Sequence, residues 1–444
     1  NTAMSNDNNS NNKNSVQVFV RIRPLTSHEV NEKHESLGYK IVDSTKIVLP
    51  STKKVFGPFT QIFQDNHNNQ YVFQETIEHS VSNILTGETI CCFCHGHTGS
   101  GKTHTILGYG SEYGLYDLSS INLWKLIDSY NSSETNERKK LKLQIRFAEQ
   151  YTDKVYDLLN NREECFVRED SNGTVHIRSA TLIDEKGRVK VGGLKPEFAL
   201  NHEDVIKIVN KGIDNRTTGS SSIHDQSSRS HSILEFQIVN QIVQETTSSL
   251  MEAEATLVPI GKKKDDTAIL IQMKSYQKDE HGKWVEIPDA VSLEEKKLLK
   301  DLEDQVLEAE RVIASLKLKL QDEMKSYSNI SLGGMFVFID LAGAEYVTDP
   351  SMVAPKTRTA KELKEGQYIN GSLLALKECI RSIHNKKQHV PFRNSKLTQI
   401  LRDYLLAKNA QTLMIGTISS SNLHEAHAKN TLHYAELAAK VNYC

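Results

Sequence analysis

Past its first fifteen residues the chain shows two alternating kinds of apolar pattern. Val16 to Ile22 sets apolar against polar positions as a strand does, and Pro24 ends the run. Ile41 to Leu49 and Val55 to Phe63 predict further short strands, whereas Tyr71 to Leu85 carries apolar residues at helical spacing. Leu141 to Phe147, Ile233 to Val243 and the nearly unbroken apolar Met335 to Ile339 predict more strands. Helical patterns fall between them, over 201 to 212, 361 to 384 and 395 to 406. Strands interleaved with helices predict an α/β fold, a central, mostly parallel sheet flanked by helices on both faces.

Residues 242 to 330 break that alternation. The stretch is polar, contains Lys262 to Lys264, and predicts a hairpin with arms near Ile269 to Met273 and Trp284 to Ile287, turning at Asp279 to Gly282. Ser292-Leu293-Glu294-Glu295 then has the Ser-x-x-Glu form in which two side chains satisfy the first free amides of a helix. In that helix Leu302, Val306, Ala309, Ile313, Leu316 and Leu320 recur in steps of four and three, a narrow apolar seam. Two partners fit such a seam: the parent domain or the hairpin, or another chain in a coiled coil.

Composition narrows the class. The 444 residues are 38% hydrophobic and 25% charged, enough for one large domain with an insertion or for several smaller ones. The formal charge is −2, so an anionic partner requires a local basic patch. Seven of the first fifteen residues are Asn, and the opening Asn1 to Met4 reads as a cloning remnant, so residues 1 to 15 are set aside as a disordered tail. Three of the six cysteines, Cys91, Cys92 and Cys94, crowd one apolar run, which reads as a buried strand in a reducing compartment. With no apolar run of about 18 residues and no apolar leader, a soluble, cytosolic or nuclear protein is expected.

The chemistry begins at Ile90 to Cys94, which runs into Gly96-His97-Thr98-Gly99-Ser100-Gly101-Lys102-Thr103. This is G-x-x-x-x-G-K-[ST] between a strand and a helix. Its glycines let backbone amides close around phosphate oxygens, Lys102 reaches the outer phosphates, and the Thr103 hydroxyl can hold Mg²⁺. An ordinary turn with an exposed lysine is the plain alternative, which the complete motif opposes. Met335 to Ile339 ends in Asp340-Leu341-Ala342-Gly343-Ala344-Glu345, placing Asp340 as a metal-side carboxylate and Gly343 to offer its amide to a terminal phosphate. Ser227-Ser228-Arg229-Ser230-His231 supplies hydroxyls for the γ-phosphate and Mg²⁺ and an arginine that can pair with Glu345.

Together these elements resemble the kinesin motor domain, as its P-loop, switch I and switch II. Further marks follow in order: Arg21-Ile22-Arg23-Pro24, Phe147 to Tyr151 with Asp157-Leu158-Leu159, Ile369 to Leu373, His389 to Arg393 with Ser395 to Thr398, and Thr431 to Ala435. The likeness spans 16 to 442 apart from the insertion at 242 to 330. It implies a microtubule-stimulated ATPase that binds ATP or ADP with Mg²⁺. Arg21, Arg23, Pro24 and His104 would line the adenine pocket, Gly96 to Thr103 and Ser227 would hold phosphates, and Thr103, Ser228 and Asp340 would serve the metal. Glu345 and Arg229, with Ser228 and Gly343, would close the site and position the attacking water. His224, Ala344 and Gly371 stand where the family usually has Asn, Ser and Lys.

The resemblance also implies tubulin as partner, through basic patches at about 361 to 406, with Arg393, Lys396, Lys377 and Arg381, and about 178 to 195, with Arg188 and Lys190. No membrane or nucleic acid partner is expected, and the implied location is the cytoplasm and its microtubules, the spindle among them. Ser372 to Arg381 and His389 to Asp403 look most like the kinesin-13 group, which removes tubulin from microtubule ends, yet that group's Lys-Val-Asp loop is missing between Lys46 and Phe59. A weakly hydrolysing microtubule tether is the alternative. The insertion is expected to leave an edge of the fold and to bind a protein partner, a microtubule or a second copy.

Overall fold

In the computed structural model of the chain, the described residues are 16–169, 175–180, 182–183, 189–190, 192–218, 227–278, 280–325, 330–343, 359–406 and 410–440. Eleven strands form the central sheet: β1 (Val16–Arg23), β2 (Gln61–Phe63), β3 (Thr89–His95), β4 (Lys142–Tyr151), β5 (Lys154–Asp157), β6 (Glu163–Glu169), β7 (Val175–Arg178), β8 (Glu197–Ala199), β9 (His231–Val239), β10 (Met335–Asp340) and β11 (Ala410–Ser419). Their order is β7-β6-β5-β4-β9-β10-β3-β11-β1-β2, with β8 on β4. From β10 to β2 neighbouring strands run parallel. Beyond β10 the pairings are antiparallel.

Successive residues of the central strands point to opposite faces, and both faces are covered. Ile90, Cys92, Cys94, Phe336 and Phe338 face a layer containing α2 (Asn69–Thr76), α4 (Leu115–Ser133) and α5 (His202–Thr218). Cys91, Phe93, Val337 and Ile339 face α8 (Ala360–His384), α9 (Lys396–Leu406) and α10 (Glu425–Ala439). The cysteine-rich run is thus the buried strand expected of it, and burial pushes the Cys91 thiol up to about 12. Two short helices lie at the cavity described below, α1 (Ser27–Asn31) and α3 (Lys102–Leu107).

Several expected strands divide differently. Ile41 to Leu49 is a hairpin of two strands, Lys40–Asp43 and Lys46–Leu49, joined by Lys54–Phe56 into a separate small sheet. Of Val55 to Phe63, only Gln61–Phe63 enters the central sheet. Tyr71 to Leu85 is α2 followed by a 3₁₀ stretch at Glu78–Leu85, and Val243 lies beyond β9 in a helix.

That helix corrects the reading of 242 to 330. α6 (Gln241–Ser275) runs straight through Ile269 to Met273, so the hairpin is smaller, Tyr276–Lys278 against Trp284–Glu286. The interior Pro259 and the lysine run hid it, since proline costs about 3 kcal/mol in an isolated helix. Here α6 lies antiparallel to α7 (Leu293–Lys325), which begins with the expected reciprocal Ser292 and Glu295 hydrogen bonds. Asn240 donates to Glu323 at 3.1 Å, Lys317 meets Glu254 at 3.1 Å, and Lys274 pairs with Glu295, marking the register from root to tip. Leu302 and Ile313 are buried, so the seam of α7 is taken up by α6 of the same chain. The two helices rise from β9 and β10, which are interior strands and not an outer strand of the sheet. They leave at Val239 and Met335, the ends remote from His231 and Asp340.

Candidate nucleotide site

β3 delivers the chain into the loop 96–101, and α3 begins at Lys102. Gly99 and Gly101 have φ of +79° and +100°, a left-handed backbone that side chains disfavour. A Cβ on Gly96 would lie 2.4 Å from the Thr417 carbonyl. The loop borders a cavity of about 1020 Å³ whose wall carries Arg21, Arg23, Pro24, Thr98 to His104 and Ser228. Gly96 and His97, expected at the phosphates, are not on that wall. Their carbonyls instead accept hydrogen bonds from Lys102 Nζ at 3.0 and 2.9 Å. Burial draws the Lys102 ammonium down to about 8, with Asp340 opposing.

Behind Lys102, Thr103 Oγ1 donates to Asp340 Oδ2 at 2.7 Å. Asp340 Oδ1 is buried without a hydrogen-bond partner, a carboxylate acceptor left over beside a hydroxyl. Hard oxygen donors of this kind suit Mg²⁺ and its waters. Arg216, buried on α5, lies 3.7 Å from Asp340 and from Glu149 and donates to the Ser230 carbonyl at 2.9 Å. Sequence reading passed over Arg216 as a site residue. Its signal was available, since it continues the buried stripe Val205, Val209, Gly212 on α5 and so places a charge on an apolar face.

The segments 227–231 and 340–343 meet directly. Gly343 N–H donates to the Ser228 carbonyl at 2.9 Å, and a Cβ on Gly343 would fall 2.1 Å from Thr98 Oγ1. Only glycine fits there without displacing the loop. His231 Nδ1 accepts the Ala342 N–H at 2.9 Å, leaving the proton on Nε2, which donates to Ser372 Oγ on α8 at 2.9 Å. Burial takes the His231 imidazole down to about 3, so it is neutral. Arg229 pairs with Glu365 at 3.2 Å and Glu362 at 3.6 Å, both on α8. Ser227 opens a one-turn 3₁₀ helix at Ser227–Arg229, while Glu345, Ala344 and His224 lie outside the described residues.

Elsewhere on the cavity wall, the Arg21 guanidinium turns inward to Asn69 and donates to Thr105 Oγ1 at 2.8 Å. Arg23 Nε donates to the Gly99 carbonyl at 2.6 Å while its outer nitrogens hold Glu29 at 2.7 Å, tying the loop to α1. The His97 ring is buried between His424 and His427, with ring centres 4.6 and 5.2 Å away.

Comparison with known proteins decides the family. The kinesin motor domain model matches residues 21–261 and 311–441. The chain belongs to the kinesin motor family. Kinesin-like protein KIF24 of Mus musculus and its Homo sapiens counterpart are each 29% identical over 434 residues. These alignments cover 95% of this chain but 24% and 23% of the relatives, so the chain spans about a quarter of their length. A solved structure, titled "Structure of a fast kinesin: Implications for ATPase mechanism and interactions with microtubules", matches with a TM-score of 0.62 at 22% identity over 96% of this chain and 91% of that one. That likeness supports the kinesin fold. Kinesin motor domains are microtubule-associated ATPases, and among the described residues no helix is long and apolar enough to cross a membrane.

On the kinesin frame the expected track residues are unequal. Arg393 is exposed, but its guanidinium is shared with Glu169 at 2.9 Å, and Glu169 also takes Arg402 at 3.1 Å. Lys396 opens α9 beside a second cavity of about 580 Å³, together with Lys364, Gly371 and Asp153. Arg381 pairs with Glu378. Lys377 is half-buried, and its charge adds to the burial that depresses the His95 and His433 imidazoles. Arg188 lies outside the described residues, and Lys190 is described only as backbone in a short strand opposite Leu182.

Proposed function

We propose that this chain is a motor domain that hydrolyses Mg-ATP on its P-loop and spends the cycle on microtubules, producing force along them or removing tubulin from their ends. The observation that carries the reading is the paired contact of Thr103 with Asp340 and of His231 with Ala342 and Ser372. It joins the phosphate site to α8, which contributes to the candidate track face. The loop amides and Lys102 bind the phosphates, and Arg23 and Pro24 bound the base. Mg²⁺ held by Thr103 and Ser228, with Asp340 behind, would neutralise charge on the outer phosphates. Glu345 and Arg229 orient the water, and the Gly343 amide reports the γ-phosphate. Arg393, Lys396 and Arg381 meet acidic tubulin, which places the protein on the cytoskeleton.

Between the two uses of the cycle, force along the lattice has the better support. The turn between Lys46–Leu49 and Lys54–Phe56 is four residues long, leaving no room for the Lys-Val-Asp loop of kinesin-13. The second reading, a weakly hydrolysing tether, draws on the hold of Glu362 and Glu365 over Arg229. Steady-state ATP turnover with stabilised microtubules, free tubulin or neither tests all three. Activation by lattice supports the walker, activation by free tubulin or ends supports the depolymerase, and indifference to both leaves the tether.

A further inference from the structure

The base side of the cavity holds a wall that the reading above does not use. α3 runs at once into a two-residue hairpin, Gly108–Tyr109 against Glu112–Tyr113. Gly108 has φ +78°, and a Cβ there would lie 2.3 Å from the Glu112 carbonyl, so the hairpin is tight and fixed to the P-loop helix. Tyr109 and Glu112 are cross-strand partners, and both line the nucleotide cavity.

Glu112 is anchored twice. One oxygen accepts the Asn69 N–H at 2.7 Å, and the other lies 3.2 Å from His104 Nε2. Asn69 is itself fully buried, and its side-chain amide donates to the carbonyls of His104 and Tyr113, both at 2.9 Å. His104 is therefore held by its ring and by its backbone. Tyr109 is the contrast: it is 83% exposed, a large aromatic on the lining of a cavity that also carries Pro24. A ring left in water beside a cavity bounded by a fixed imidazole and a proline gains most from a flat, apolar-faced ligand.

We propose that Tyr109 closes over the purine ring of the bound nucleotide as a stacking lid, and that Glu112 is a positioning residue that fixes His104 as part of the base wall. The inference rests on the nucleotide reading of this cavity and adds the source of its base preference. A purine offers more stacking area than a pyrimidine, so the pair sets a preference for ADP over CDP while leaving the phosphates to the P-loop.

The test is calorimetric titration of the nucleotide-free chain with ADP, CDP and inorganic tripolyphosphate. Tyr109→Ala is expected to weaken ADP about tenfold, a usual size for one lost base stack, and to leave tripolyphosphate unchanged, with Tyr109→Phe restoring ADP. Glu112→Gln is expected to lower the ADP-to-CDP ratio, again without moving tripolyphosphate, whereas a collapsed site would weaken all three ligands together. ADP binding by Tyr109→Ala within twofold of the parent would overturn the lid and leave the nucleotide site standing. A parent chain that binds neither ADP nor tripolyphosphate would overturn both.

Discussion

His231 and Ser372 stand 2.9 Å apart, one closing the segment 227–231 and the other inside α8, joined by a hydrogen bond whose direction is set by the Ala342 amide on the imidazole's far side. Ser372 in turn donates to the Ile369 carbonyl at 2.8 Å, so a single neutral histidine links the segments 227–231 and 340–343 to the helix of the candidate track face.

Ser372→Ala cuts this line with little change of volume. It leaves a buried N–H unpaired, which costs about 1–3 kcal/mol. ADP affinity is expected to stay within about twofold, while microtubule-stimulated turnover falls about tenfold, the effect of some 1.4 kcal/mol on a barrier. Stopped-flow ADP release with and without microtubules reads the two separately. Equal loss of both would refute the coupling.

Asp340→Asn keeps the hydrogen bond from Thr103 but removes the carboxylate charge beside it. Turnover is expected to fall by about a hundredfold or more, since a metal's charge stabilisation amounts to several kcal/mol. The free Mg²⁺ needed for half-maximal ATP binding should rise in step, and a titration showing no such rise would contradict the assignment.

Acid stability carries a definite sign. Burial depresses His95 to about 3 and His97 to about 2, both from 6.5. From pH 6.5 down to about 3 the unfolded chain binds protons that the folded one refuses, so stability falls with pH by about 1.4 kcal/mol per unit for each. Glu29 acts in the same direction lower down: burial would raise its carboxyl, but Arg23 and Thr26 hold it at about 2, so its contribution is lost from 4.5 downward. His97→Gln removes one of these terms. Urea midpoints between pH 6 and 4 should therefore decline less steeply in the variant than in the parent.

Glu169 occupies Arg393 and Arg402 at once. Exposed ion pairs are weak, so an acidic tubulin surface docking there would compete with this carboxylate on nearly even terms. Glu169→Ala is expected to tighten microtubule affinity a few-fold at low salt and to lose that advantage at high salt. Cosedimentation across a salt series measures both.

The arm of α6 and α7 can be shortened without touching the core. Val243, Thr246, Leu320 and Met324 pack at its root, so replacing 250–318 by a short flexible linker keeps them. The family model leaves 262–310 unmatched, and the exposed Met273 and Trp284 lie near the tip. We expect basal ATP turnover to persist and microtubule affinity or self-association to drop. Unchanged values of both would end the proposal that the arm binds a partner.

What could be read in advance follows from the range of the interactions. The P-loop was legible because its chemistry lies in consecutive backbone groups, and α8 and α9 because their apolar stripes are strong. α6 was not, since its apolar signal is interrupted by Pro259 and Lys262 to Lys264 and its burial comes from α7. The links from His231 to Ser372 and from Arg393 to Glu169 join residues 141 and 224 positions apart, which no local period encodes. His97 read as a phosphate-loop residue, yet its surroundings come from His424 and His427 at the far end of the chain.

β9 and β10 have His231 and Asp340 at one end and the arm at the other, and β9 passes into α6 through the single residue Asn240. Six paired positions at roughly 3.3 Å each make this a strut of about 20 Å, hydrogen-bonded along its length and stiff against stretching. α7 adds a boom of about 50 Å. A small sideways force at the hairpin is thus a large torque at the root, applied to the two strands that carry His231 and Asp340 at their other ends. Whatever grips the tip therefore pulls on strands whose other ends border the candidate nucleotide site.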